Sequence, residues 1–495
     1  MLLPDAIYTA AQIRQIEAAV VAGGTPAYTL MQRAGAAAFG ALRQRWPLAR
    51  SVAVVAGPGN NGGDGLVLAR LARQAGLAVE VLLVADAAAL RGEARQAHHD
   101  LLEAGLQPLG FAASALAGAD VVVDALLGIG VRAPLREEWV RVIAALNACQ
   151  RPVFALDVPS GLDPDQGRAL PAVHATATIS FLGLKQGLFV GAGPEHAGEI
   201  LFDALRVEGA PDAGPPVLLR LTHEDLTRVL PQRPRQSHKG QFGRVLIVGG
   251  GTGMPGAVRL AAEAALRVGA GLVTVASLPE HLAVVVGPRP ELMFHAVREA
   301  ADVQPVAAVA DVIALGPGLG RDGWAKGVLA AVLAARRPGQ RLVVDADALN
   351  LIAAGHGPAR MDDWVLTPHP GEAARLLGTG IADIQADRLA ALHALCGKRG
   401  GTVVLKGATS LVGRQGEVPR LCDRGNPGMS VPGMGDVLTG AIAGLLAQSH
   451  DVLDAVGAAV YAHAVAGDRC ARQGVRGVLA TEVAQELRAV LAQLP

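Results

Sequence analysis

The sequence predicts an α/β protein of two domains, each built on a mostly parallel sheet. Three observations predict it. Short β-rich runs alternate with helical patterns of roughly ten or more residues, the mark of βαβ units. The alternation breaks once, at Gly209–Pro216 (GAPDAGPP), and then restarts. The length of 495 residues is also too great for one core, at roughly 100–200 residues per domain.

In the first half, Ser51–Ala56 (SVAVVA) reads as a buried strand. Leu66–Ala75 carries apolar residues at helical spacing, with Arg70, Arg73 and Gln74 on the other side. Val79–Val84, Val121–Asp124 and Val153–Asp157 repeat the strand signature. GAPDAGPP is too rich in Pro and small residues to propagate helix or strand, so the domains are expected at 1–212 and 213–495. In the second half, Arg244–Val248, Leu272–Ala276, Val312–Leu315, Leu342–Asp345, Trp364–Thr367 and Thr402–Lys406 read as strands. The Ala-rich stretches between them read as helices. No sequence repeat relates the halves, so the chain reads as a fusion of unlike domains.

Composition narrows the function. A 51% hydrophobic share supplies more than one core, and with 3% aromatics those cores must be aliphatic. Lys+Arg and Asp+Glu are 44 each, so no basic excess points to nucleic acid or an anionic membrane. Cys149, Cys396, Cys422 and Cys470 form no C-x-x-C pair, which argues against a disulfide framework or structural zinc. Reduced thiols in the cytoplasm are expected. The start MLLPDAIYTAAQIRQ lacks the basic and apolar regions of a signal peptide. No apolar run of about 18 residues predicts a membrane span.

G-x-G-x-x-G occurs at Gly57/Gly59/Gly62, Gly251/Gly253/Gly256 and Gly318/Gly320/Gly323. With 62 Gly in the chain, such matches arise by chance and do not define a dehydrogenase. The segment Gly57–Gly65 (GPGNNGGDG) is more specific. Its glycines let backbone N–H groups approach phosphate, and its two Asn and one Asp add polar ligands. In parallel sheets ligands gather at the carboxyl ends of strands. Asn61, Asp124 and Ser160 can therefore converge as oxygen ligands for one hard cation, or cap separate turns. In the second half, His369-Pro-Gly-Glu372 and Lys406-Gly-Ala-Thr-Ser410 each follow a strand, and Gly433-Met-Gly-Asp436 opens a helix. Free N–H groups there can steady a transferring phosphoryl group, and Asp436 can serve as base or as a helix cap.

These segments, in this order with DALLGIG, DVPSGLD, HKGQFG, GMPGA, GPGLG and GMGDVLTG, resemble the bifunctional NAD(P)HX repair enzymes from about Ala11 to Leu491. The resemblance implies a Rossmann-like NAD(P)HX epimerase domain followed by a ribokinase-like, ADP- or ATP-dependent NAD(P)HX dehydratase domain. It implies that Asn60, Asn61, Gly62, Gly63 and Asp64 contact substrate. Gly128, Ile129, Gly130, Val131, Arg132, Ala133 and Pro134 would line its phosphates, and Asp157 would reach the nicotinamide ring and act in catalysis. Asn61, Asp124 and Ser160 would hold K+. In the second domain, Ala257, Gly318, Gly320 and His369 would contact the hydrated cofactor. Lys406, Gly407, Ala408, Thr409, Ser410 and Gly435 would hold the nucleotide with Mg2+, and Asp436 would be the base. Gln32 and Ser410 depart from the family's commoner Glu and Thr but keep hydrogen-bonding capacity. The expected ligands are NADHX or NADPHX and ADP or ATP, with no nucleic-acid or membrane partner, and a homo-oligomer is expected. The alternative is a ribokinase-like vitamin-precursor kinase carrying an N-terminal binding module.

Overall fold

The structure, a computed structural model, describes residues 3–207, 213–230 and 232–492. Packing divides it into two units between Leu218 and Leu219. The expected boundary at 212/213 and the segment 209–212 of the expected linker lie wholly or partly outside the described residues.

In the first unit a parallel sheet runs in the spatial order Leu109–Gly110, Ala78–Leu83, Ser51–Ala56, Val121–Ala125, Val153–Leu156, Ala177–Phe181, Glu199–Asp203. Its central strands are mostly apolar because both faces are covered, with Asp124 the charged residue within Val121–Ala125. Val52, Val54 and Ala56 pack in the core that also takes residues of the helices Ala10–Ala22, Ala27–Arg45 and Asn60–Gln74. Ala53 and Val55 point the other way, into the core beneath Glu137–Ala148. Ser51–Ala56 has Ala78–Leu83 on one side and Val121–Ala125 on the other. That pair is a topological switch point, where a crevice opens beyond the strand ends. A short parallel pair, Ala6–Tyr8 with Leu184–Lys185, sets Lys185 opposite Tyr8.

The helix expected from Leu66 begins at Asn60, so most of GPGNNGGDG is its first turns. Close packing explains the glycines. A Cβ on Gly62 would stand 1.9 Å from the Gly57 carbonyl oxygen, and one on Gly65 2.5 Å from Ala125 Cβ. Several strands stop a residue short of expectation. Asp157, Asp345 and Lys406 follow the strands Val153–Leu156, Arg341–Val344 and Thr402–Leu405 rather than ending them. Asp157 turns there with φ 67°, in the left-handed region.

In the second unit the strands Met293–Ala296, Leu272–Ser277, Arg244–Val248, Val312–Leu315, Arg341–Val344, Trp364–Leu366 and Thr402–Leu405 lie side by side and parallel. Ser410–Arg414 and then Arg420–Cys422 extend the sheet antiparallel. The helices Pro255–Arg267, Met434–Leu446, Val452–Cys470 and Ala480–Leu491 bury their small and aliphatic faces in one core. Gly440 lies against the other helix backbone, since a Cβ there would meet the Ala261 carbonyl oxygen at 1.9 Å. No helix among the described residues is long and apolar enough to cross a membrane.

Candidate active sites

The crevice at the switch point of the first unit is a cavity of about 520 Å³. Asn60, Asn61, Asp64, Gly128, Ile129, Gly130 and Asp157 line it, together with Arg14, Glu17 and Lys185. Gly62 and Gly63 are buried behind it, packed on Gly57 and Met31. Arg132, Ala133 and Pro134 are exposed and, like Val131, do not line it.

Asp157 and Lys185 form the charged centre of this cavity. The Lys185 ammonium, fully buried, donates to Asp157 Oδ1, to Phe181 O at 2.7 Å and to Ser180 Oγ at 3.2 Å. Its three protons are thus all engaged. Around the pair stand two more acids. Burial pushes Asp64 well above the usual carboxylate range, and the charges of Asp157 and Glu17 add to the rise. Glu17 is raised by burial and by Asp157. Clustered carboxyl groups of this kind are the groups that give and take protons in an active site.

Asp124 and Ser160 lie deeper. Ser160 Oγ donates to Asp124 Oδ1 at 2.6 Å, and Ser160 N donates to Asp124 Oδ2 at 2.8 Å. Burial pushes Asp124 up to about 6 against the pull of these bonds. Leu127 N donates to Ser160 Oγ at 2.8 Å, and the next residue, Gly128, reaches Asn61. A Cβ there would lie 3.3 Å from Asn61 Cβ and 3.5 Å from Asp157 Oδ2. Both polar atoms of the Asn61 amide are buried without a hydrogen-bond partner. A buried anion, a hydroxyl and an orphaned amide oxygen make a donor set that suits a hard monovalent cation.

In the second unit the site forms around Lys406. Its ammonium lies 2.8 Å from Asp345 Oδ1 and 4.0 Å from Glu372 Oε2. Asp345, 1% exposed, accepts from Thr439 Oγ1 at 2.8 Å through its other oxygen. Burial and the neighbouring Asp345 charge raise Glu372 to about 7, although Lys406 pulls it down. His369 caps the helix Pro370–Leu377: its Nδ1 accepts from Gly371 N at 3.0 Å, and its own N–H donates to Glu372 Oε2 at 2.8 Å. Gly435 stands beside the charges, where a Cβ would lie 3.4 Å from Lys406 Nζ.

Asp436 lies in the first turn of Met434–Leu446 and does not cap it, since Gly433 is the N-cap. Burial raises Asp436 to about 7, the charge of Asp345 adds to this, and Lys406 opposes it. A half-buried carboxyl poised near neutrality is a fitting general base. Ala257 lies in the first turn of the helix Pro255–Arg267, and Gly318 packs on Met254 and Ala257. Gly320 is open on its side-chain face and donates from N to Asp347 Oδ2 at 2.9 Å.

Lys185, Glu17, Asp345 and Thr439 had no assigned role in the sequence reading. A signal existed for one of them: Asp345 sits just beyond the strand Arg341–Val344, where parallel sheets place their ligands, whereas Lys185 lies within the short strand Leu184–Lys185. Nothing local marks Glu17 or Thr439, which are set by helix packing.

Comparison with known proteins covers both units. Residues 27–187 match the family described as YjeF-related protein N-terminus, and residues 245–489 match NAD(P)H-hydrate dehydratase. A bifunctional NAD(P)H-hydrate repair enzyme of Coxiella burnetii is 45% identical over 98% of this chain and 99% of its own. One of Escherichia coli is 41% identical over 99% of this chain and 94% of its own. Among solved structures, a ribokinase-like superfamily protein of Enterococcus faecalis is 36% identical over 55% of this chain and 95% of its own, with a TM-score of 0.53.

Proposed function

The chain belongs to the bifunctional NAD(P)H-hydrate repair enzymes, and from that premise we propose how its residues divide the work. The first unit interconverts the R and S forms of NADHX and NADPHX. The second dehydrates the S form to NADH or NADPH with ADP or ATP. The observation that carries this reading is the pairing of two separate sites, one around the Asp157–Lys185 pair and one around Lys406, Asp345 and Asp436, in one chain matched along its length.

In the first unit, Asp157 takes the proton of the C6 hydroxyl as the N1–C6 bond breaks to an aldehyde, with the bond's electron pair left on N1. It returns the proton to the oxygen when N1 re-adds to the other face. Lys185 fixes the Asp157 carboxylate in place. Asp64 and Asn60 bound the ring, and Gly128–Gly130 offer main chain to the diphosphate. Asn61, Asp124 and Ser160 would hold potassium, which supplies positive charge beside the anionic substrate. The orphaned Asn61 amide supports that assignment.

In the second unit, Asp436 takes the proton of the C6 hydroxyl as its oxygen bonds to the terminal phosphorus of the nucleotide. The bond from that phosphorus to its bridging oxygen breaks, leaving AMP from ADP or ADP from ATP. The C6–O bond then breaks, phosphate departs with the electron pair, and loss of the C5 proton restores the dihydropyridine. Lys406, Thr409, Ser410 and the N–H groups near Gly435 hold the phosphates, with Gly407 and Ala408 shaping the turn. Glu372 is the carboxylate that would hold magnesium, which neutralises phosphate charge. Ala257, Gly318, Gly320 and His369 form the wall for the hydrated cofactor.

The test is a mixture of R- and S-NADHX given ADP or ATP, followed by the return of NADH absorbance. Full recovery supports both activities. Recovery of the S share alone removes the epimerase reading. A stable phosphorylated product without NADH would make the second unit a kinase.

A cytoplasmic location is proposed because all four cysteines are unpaired. A homo-oligomer is proposed on the exposed Leu282, Val284 and Met293 near the sheet's edge strand, and sedimentation measures it.

A further inference from the structure

Arg388 opens the helix Arg388–Arg399 and is 6% exposed. A cation is badly placed there on two counts. The start of a helix already carries positive partial charge, and burial strips the guanidinium of water. Among the described residues no carboxylate pairs with it; its partners are neutral. It donates to Gln385 Oε1 at 3.1 Å and to the carbonyl oxygens of Leu405 at 3.1 Å, Lys406 at 3.3 Å and Thr409 at 3.0 Å. Those carbonyls belong to the turn between Thr402–Leu405 and Ser410–Arg414. The turn is wrapped so closely that a Cβ on Gly407 would stand 2.6 Å from Arg388 Nη2. Burial draws the guanidinium down to about 10, so it stays charged at neutral pH.

Holding three carbonyls needs donors, not charge. A neutral amide or water satisfies carbonyl oxygens at far lower desolvation cost. The retained charge therefore calls for an anion nearby, and among the described residues no carboxylate pairs with it. With its carbonyls turned toward Arg388, the turn leaves Gly407 and Ala408 exposed beside the half-buried Lys406 and Ser410 for contact with a ligand.

We propose that Arg388 is a positioning residue for the nucleotide. It shapes the Lys406–Ser410 turn around its guanidinium and adds uncompensated positive charge beneath the bound phosphates. This rests on the reading that Lys406–Ser410 hold ADP or ATP.

The test uses the full chain with ADP as the varied substrate. Arg388→Gln keeps donors but loses charge, and is expected to raise the KM for ADP about tenfold or more, with kcat at saturating ADP changed less than about threefold. Arg388→Lys keeps charge and should recover part of the lost affinity. Epimerisation by the same preparation reports that the chain is intact. A wild-type KM for ADP in Arg388→Gln overturns the proposal, as does a loss of kcat and thermal stability without a KM change, which marks a merely structural residue. If Arg388→Gln does not fold, Gly407→Ala decides. Its added methyl displaces the guanidinium, and an unchanged KM there overturns the proposal. Lys406→Met separates the two levels. If it weakens ADP binding while the Arg388 variants do not, only the role of Arg388 falls. If neither matters, the nucleotide turn itself is misassigned and the proposal falls with it.

Discussion

The Lys406 ammonium is held 2.8 Å from Asp345 Oδ1, and Thr439 secures the other Asp345 oxygen at 2.8 Å. This pair does two things at once. It fixes the direction of Lys406, and its carboxylate keeps Asp436 from ionising early. Asp345→Asn should therefore separate two effects. Dehydration slows by about 10²-fold as Lys406 loses its anchor, and the acid limb of the pH–rate profile moves to lower pH. A full pH profile of the variant checks it; a limb that stays in place would detach Asp345 from the electrostatics of Asp436.

As the proposed base, Asp436 would act only when ionised. Its raised pKa of about 7 means that dehydration rises with pH through about 7 and falls below it. Asp436→Asn removes the base and should reduce dehydration by about 10²–10⁴-fold. Epimerisation, which uses the other unit, is expected to be unaltered. Stability runs the other way. The folded form keeps this proton to higher pH than the unfolded chain does, so the contribution fades as pH rises from about 4 toward 7.

The Asp157–Lys185 pair predicts an order of damage. Lys185 is 0% exposed and Asp157 14%. Asp157→Asn leaves a fully buried ammonium unpaired and should cost about 3–5 kcal/mol. Lys185→Met leaves a carboxylate that still faces the cavity, so it should cost less. Both should abolish epimerisation. Thermal unfolding of the two variants measures the order, and equal losses would mean that the cavity does not hydrate Asp157.

Potassium should stabilise the first unit through Asn61, Asp124 and Ser160. Replacing it by a large organic cation is expected to lower the Tm of that unit, and at about 100 times its Kd the ion contributes about 2.7 kcal/mol. Asp124→Ala should erase the difference between the two cations. A Tm difference that survives in the variant would place the ion elsewhere.

Much of the fold was legible because doubly covered parallel strands have few polar interruptions. Arg244–Val248 and Val312–Leu315 end where the apolar runs end. The expected strand ends at Asp157, Asp345 and Lys406 lie one residue too far, since there the terminal charge continues the run in sequence but turns in space, whereas Val121–Ala125 runs one residue past Asp124. The start of Asn60–Gln74 was hidden because glycine signals a loop locally, whereas here it makes room for a neighbouring backbone. The motif segments were legible as short strings. The partners that tune them were not: Lys185 is 28 residues from Asp157, Asp345 is 61 from Lys406, and Thr439 is 94 from Asp345. Only the folded sheet brings such groups together.

The contact of Gly440 with the Ala261 carbonyl oxygen has a mechanical consequence. The helix that carries Asp436 rests directly on the main chain of the helix that carries Ala257. The spacing of the two helices, and with it that of the proposed base and substrate wall, is thus gauged by backbone at Gly440, without a compressible side chain in between. Drift in the surrounding aliphatic residues can alter the fill of the core while leaving that spacing to the reacting carbon within tolerance.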